Sequence, residues 1–159
     1  MEKTVKCFGC GGQVAVSERL GETGKWFHPE CYEEFTHKEK LITYIIILFD
    51  FFSSEDAPYI MNCRRMATSY VKKNGYTYKG IWQALVYFYE VKKHSKQKSQ
   101  KRIGIVPYVY DEAELYFRQL DKKKQTIMES KFEELRVKRD IEKLKKAHEE
   151  VIEIIDINI

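Results

Sequence analysis

Apolar residues recur at three- and four-residue steps through most of this 159-residue chain, and those steps predict a mainly α-helical protein. Leu41, Ile42, Ile45, Leu48, Phe49 and Phe52 mark a first body helix over residues 38–52, although the β-branched run Ile45-Ile46-Ile47 also suits a strand. Ser53-Ser54-Glu55-Asp56 ends it and caps a helix over 57–73, with Pro58 tolerated in the first turn. On that helix Ile60, Cys63, Ala67 and Tyr70 form the apolar stripe, and Arg64, Thr68 and Lys72 line the opposite side. Asn74-Gly75 is a stop, and Thr77 caps a third helix over 78–92 that turns Ile81, Trp82, Leu85, Phe88 and Tyr89 inward. Ile103 to Pro107 reads as one short strand, after which Pro107 opens a long helix. Tyr116, Phe117 and Leu120 pack its first part on the bundle. Beyond residue 121 the helix is charge-rich, with a four–three seam of Val137, Ile141, Leu144, His148, Val151 and Ile155. Met128, Phe132 and Leu135 use the same spacing out of phase, and residues 152–159 form an apolar tail suited to docking.

The first forty residues do not follow this period. Val14 and Val16 alternate with polar residues before Gly21-Glu22-Thr23-Gly24, which predicts a hairpin over 12–25. Around it stand Cys7 and Cys10, then His28 and Cys31, a C-x2-C-x17-H-x2-C pattern. Each short pair supplies two soft ligands from one turn, and the gap folds back to close a tetrahedral Zn²⁺ site. Glycines follow the first pair, where a residue at positive φ lets the backbone bend round a metal. Pro29 suits the first position of a helix that carries His28 and Cys31 in its first turn. Four ligands leave no open position for water, so one structural zinc is expected rather than a catalytic one. A thioredoxin-like redox pair needs a βαβ pattern that is missing here and leaves the second pair unexplained. Disulfides leave His28 without a role, and no secretory segment precedes the cysteines.

Residues 7–34 resemble one zinc-binding half of a LIM domain, or more generally a treble-clef finger. The resemblance implies Cys7, Cys10, His28 and Cys31 as metal ligands, with Trp26 and Phe27 packed beside them. A full LIM domain continues at once with a second finger, whereas Tyr32-Glu33-Glu34 follows Cys31 here and no second ligand set exists. The domain organisation expected is therefore a small treble-clef-like finger of β-hairpin plus short helix over 1–37, a helical body over 38–120, and a long charged helix over 121–159.

Charge adds a candidate partner. The net charge is +4, and the positive excess lies in the middle of the chain, where residues 41–107 hold eleven Lys/Arg against four Asp/Glu. Six of the eleven residues from Lys92 to Arg102 are basic and none is acidic, the composition of a flexible, self-repelling loop able to neutralise phosphates. Helix, short glycine turn, helix over 57–92 is also the layout of a helix-turn-helix unit. That reading puts Tyr78, Lys79 and Gln83 at base edges and Arg64, Arg65, Lys72 and Lys73 on phosphates, joined by Lys92, Lys93, Lys96, Lys98, Lys101 and Arg102 from the loop. The plainer alternative is an αα-hairpin followed by a solvated loop.

No catalytic motif appears. Gly21 to Lys25 misses the phosphate-binding loop because its glycines are three apart and Trp26 replaces the Ser/Thr. None of His37, His94 and His148 lies near a Cys or Ser with a third orienting group in sequence, and Cys63 reads as a core thiol. Leu41 to Phe52 is too short for a membrane span and contains Asp50. The expectation is a cytoplasmic, non-enzymatic zinc protein that binds DNA or RNA. The other expectation is a protein-binding adaptor or inhibitor, acting through the finger and through a partner helix or a second copy on residues 121–159.

Overall fold

The computed structural model describes residues 3–21 and 24–157, and their side chains apart from 144 and 147–157. The architecture is mainly α. A two-stranded hairpin, β1 (Thr4–Lys6) and β2 (Gln13–Ala15), precedes four helices: α1 (Pro29–Leu48), α2 (Ala57–Asn74), α3 (Tyr78–Val86) and α4 (Val106–Ile157). The strands pair antiparallel, with Val5 opposite Val14. The chain forms two compact units that divide between Leu115 and Tyr116.

In the first unit α1, α2 and α3 pack on one another. Leu41, Ile42, Ile45 and Leu48 of α1 meet Ile81, Ala84 and Leu85 of α3, with Cys63 and Ala67 of α2 and Ile103, Val106 and Ala113 completing the buried set. The expected stripe of the first body helix is thus the core stripe. Its boundaries differ at both ends. The helix begins at Pro29, so the finger's short helix and the body's first helix are one element. It stops at Leu48 because Asp50 takes φ 55°, while the N–H of Asp50 donates to Ile47 O and that of Phe51 to Ile46 O. This is a Schellman stop with aspartate where glycine usually sits. Phe52, expected on the buried stripe, is 74% exposed as a result.

The next boundaries follow the capping chemistry. Ser53 and Asp56 form a capping box on a 3₁₀ turn (Ser54–Asp56) that runs into α2. Gly75, at φ 69°, ends α2, and Thr77 Oγ1 accepts from Gly80 N at 2.9 Å to start α3. The third helix continues to residue 91 as a π-helical turn (Tyr87–Val91). Gly80 is needed there because a Cβ would run into the Tyr110 ring, which stacks on Tyr76 at 3.7 Å while its hydroxyl accepts from Thr77 N. The strand expected over 103–107 is absent. Ile103 and Val106, three apart and both fully buried, lead through a turn into α4, with Pro107 in its first turn.

The second unit is helix from Tyr116 onward. Its surface carries Ile127, Met128, Phe132, Leu135, Val137 and Ile141, each 47–68% exposed. Of the expected heptad seam, Leu144, His148, Val151 and Ile155 have side chains outside the described residues, as does the apolar tail. Among the described residues, no helix is long and apolar enough to cross a membrane.

Candidate metal centre

The loop between β1 and β2 holds Cys7 and Cys10. Its turn is closed by Gly11 N donating to Cys7 O at 2.9 Å, with Gly11 at φ 75°. The chain then crosses to a single bridge, Leu20 opposite Phe27, in place of the longer hairpin expected over 12–25; Glu22 and Thr23 of its turn lie outside the described residues. Phe27 delivers the chain to α1, where His28 is the N-cap, Pro29 is the first helical residue and Cys31 lies in the first turn.

Cys7, Cys10, His28 and Cys31 converge, with all their ligand atoms within 4.8 Å of one another. Cys10 Sγ lies 3.4 Å and Cys31 Sγ 3.9 Å from His28 Nδ1. A Zn²⁺ bound at the usual sulfur and nitrogen distances sets tetrahedral neighbours roughly 3.5–3.8 Å apart. The cluster therefore fits one tetrahedral metal ion such as zinc. His28 Nε2 bonds to the carbonyl of Gln13 at 2.9 Å, which fixes Nδ1 as the ligand atom. Sequence reasoning missed Gln13, and a backbone carbonyl leaves no side-chain signal to find it by.

Backbone N–H groups serve the sulfurs. His28 N donates to Cys7 Sγ and Gly12 N to Cys10 Sγ, each at 3.4 Å. Burial pushes the Cys7 thiol up, but N–H groups of Cys10, His28 and Gly9 outweigh it and bring it down to about 6. Burial, followed by the Cys7 and Cys10 side chains, pushes Cys31 up to about 11. The Gln13 carbonyl, then the Cys7 sulfur, raises His28. A metal must therefore displace protons, above all from Cys31.

The packing round the cluster is aromatic and small. Phe27 is buried with Cys7 and Val14, and its ring meets Phe35 at 4.9 Å and Phe8 edge-on at 5.6 Å. Trp26 lies under the Arg19 guanidinium at 3.9 Å, and its carbonyl accepts from Phe8 N in the Cys7–Cys10 turn. Gly9 presses on the second ligand pair, since a Cβ there would stand 2.9 Å from Cys31 Cβ.

The basic positions lie in the helical body. Arg65, Lys72, Lys73 and Lys79 are exposed, and Arg64 and Gln83 are half-buried. Tyr78 is withdrawn from the base-reading role: it is 8% exposed, beneath Lys38 Nζ and against the Thr68 hydroxyl. Lys92, Lys93, Lys96, Lys98, Lys101 and Arg102 are all exposed. Lys92 pairs with Glu112 at 3.2 Å; Lys101 pairs with Asp56 at 3.7 Å and sits over the Phe51 and Tyr59 rings. The loop is more ordered than its charge predicts. Ser99 Oγ donates to Lys96 O at 2.6 Å, His94 N to Phe88 O and Arg102 N to Ser99 O.

No solved structure matches the chain. The SPbeta prophage-derived uncharacterized protein YorH of Bacillus subtilis (strain 168) is 31% identical over 121 residues, 74% of each chain. The likeness to half a LIM domain rests on the ligand spacing, whereas the SPbeta prophage protein YorH family matches residues 7–158, the four ligands included. The chain belongs to the SPbeta prophage protein YorH family.

Proposed function

We propose that this chain is a non-enzymatic protein in which one structural zinc holds a treble-clef-like finger, and that the helical body binds nucleic acid through the basic loop. The observation that carries the binding is the loop's cation set. Among the described residues, Lys93, Lys96, Lys98 and Arg102 are exposed and make no ion pair, in a segment without an acidic residue. Cations held in this way neutralise phosphates and release condensed counterions. Three thiols and an imidazole fill a tetrahedron, which favours a structural metal over a reactive one. Arg65, Lys72, Lys73 and Lys79 extend the positive surface.

The test is fluorescence anisotropy of zinc-loaded protein on random DNA and RNA across a salt series. A steep loss of affinity with salt supports the reading, and Lys96→Ala or Lys98→Ala should weaken all sequences alike and flatten the slope by about one per phosphate contact. Absence of binding at low salt would sink it.

The exposed apolar residues of α4 favour a second reading, an adaptor that offers Met128, Phe132 and Leu135 to a partner helix or a second copy of the chain. Truncation before residue 121 separates the two. It abolishes an adaptor's function and leaves nucleic-acid binding by the loop in place.

A further inference from the structure

A cavity of about 580 Å³ opens between the π-helical turn, the basic loop and the first turn of α4. Its size suits a small organic ligand. Its lining combines two chemistries. Phe88 and His94 stack at 4.2 Å with an interplanar angle of 22°, forming an aromatic wall. Tyr108 lines the same cavity and is 83% exposed, so an aromatic face stands in solvent with no structural need for it in the core. Lys98 and Arg102 supply two cations, and among the described residues none that is acidic lines the space. Gly104 also lines it, and a Cβ there would make only an ordinary contact with Met66 Cε at 4.0 Å.

The loop that brings these groups together is fixed. His94 is tied to Phe88 through its backbone N–H, Lys98 lies on the 3₁₀ turn Gln97–Ser99, and Arg102 N bonds back to Ser99 O. Downstream, fully buried Ile103 and Cys63 Sγ, donating to Lys101 O at 3.7 Å, anchor the loop to the core. A cavity with flat aromatic rings and fixed cations complements a flat ring that carries a phosphate.

We infer that this cavity takes an unpaired base of a single-stranded nucleic acid, stacked on the Phe88–His94 wall and Tyr108, with the adjoining phosphate on Lys98 and Arg102. The inference rests on the nucleic-acid reading above and narrows it, because a base in a duplex is already stacked and cannot enter. Sequence preference is then weak, since every base presents a π-face.

Three oligonucleotides of one length test it by anisotropy on the intact zinc-loaded protein: a mixed-sequence single strand, its duplex, and an abasic strand with the same phosphates and no bases. The single strand should bind tightest. Tyr108→Ala, at a position too exposed to disturb folding, should weaken the single strand by about five- to a hundredfold and leave its salt slope unchanged. The same variant should bind duplex and abasic strand as the parent does. Lys98→Ala should weaken all three and lower the slope. Abasic or duplex binding equal to that of the single strand, or a Tyr108→Ala variant with parental affinity, overturns the stacking site while leaving phosphate binding intact. Failure of every polymer to bind at low salt overturns both.

Discussion

Gly9 and Gly12 lie on either side of Cys10, and the same substitution at the two should have opposite consequences for the metal. An alanine Cβ at Gly9 would stand 2.9 Å from Cys31 Cβ, and that atom is fixed by the first turn of α1 and by the ligand role of its sulfur. At Gly12 the nearest atom is Cys10 Sγ at 3.4 Å, ordinary contact. Neither glycine has a positive φ, so backbone strain does not enter. Overpacking of this kind costs about 1–3 kcal/mol. Replacing glycine returns about 0.4–1 kcal/mol by restricting the unfolded chain. The balance at Gly9 is a loss of about 1.3 kcal/mol, or about tenfold in zinc affinity if finger folding and metal binding are one event. At Gly12 only the gain remains. Competition against a chromogenic chelator at fixed pH measures both. Equal affinities for Gly9→Ala and the parent, or an equal loss in Gly12→Ala, would refute the packing of the knuckle on Cys31.

Metal removal should strip amide protection from the finger and from α1 before Leu41 and leave that of α3 intact, as read by hydrogen exchange with and without chelator; loss throughout the first unit would contradict this. Thr77→Ala removes the cap bond to Gly80 N and should lower stability by about 1 kcal/mol in a urea titration, with the m-value unchanged. The Tyr87 hydroxyl, then Lys92, holds the Glu112 carboxyl below its ordinary range. A depressed folded pKa stabilises the protein above the unfolded value, about 4.3, and that contribution disappears as pH falls through the folded one. Glu112→Gln should therefore show a shallower loss of stability than the parent below about pH 4.5; parallel curves would show that the contact contributes nothing.

The parts of this fold that were legible in the sequence are those with local causes. The four ligands, Pro29 at the helix start, Ser53, Thr77 and Gly75 act through their own turns, and all stand where their chemistry places them. The failures have non-local or ambiguous causes. Asp50 stops α1 from a left-handed position that sequence reading reserves for glycine, so the helix looked four residues longer. The join of finger helix and body helix is masked by Thr36 and Glu39, which have the spacing of a capping box, yet the Thr36 hydroxyl donates to Tyr32 O at 2.8 Å inside one continuous helix. Ile103 to Pro107 looked extended because two isoleucines and a valine favour strands, yet burial of Ile103 and Val106 three residues apart decided for a turn and helix. The basic run looked flexible because its order comes from Ser95, Ser99 and backbone carbonyls rather than from apolar residues.

The continuity of α1 explains why the metal can matter greatly to the finger and little to the body. His28 caps the helix and Cys31 sits in its first turn, whereas the first fully buried body residue on the same helix is Leu41. Ten residues at 1.5 Å each put roughly 15 Å between them. Among its described residues the finger buries Cys7, Val14 and Phe27, too few to hold a hairpin without a staple. Thiolates at a helix N-terminus also gain from its dipole, an attraction confined to the first turn. Loss of metal should thus fray α1 from Pro29 inward and stop where Leu41, Ile42 and Ile45 lock against α3. The basic loop hangs from the far side of that lock, anchored by Ile103 and Cys63. Zinc-free protein should therefore keep its affinity for single strands while losing its finger, and anisotropy after chelation would show whether it does.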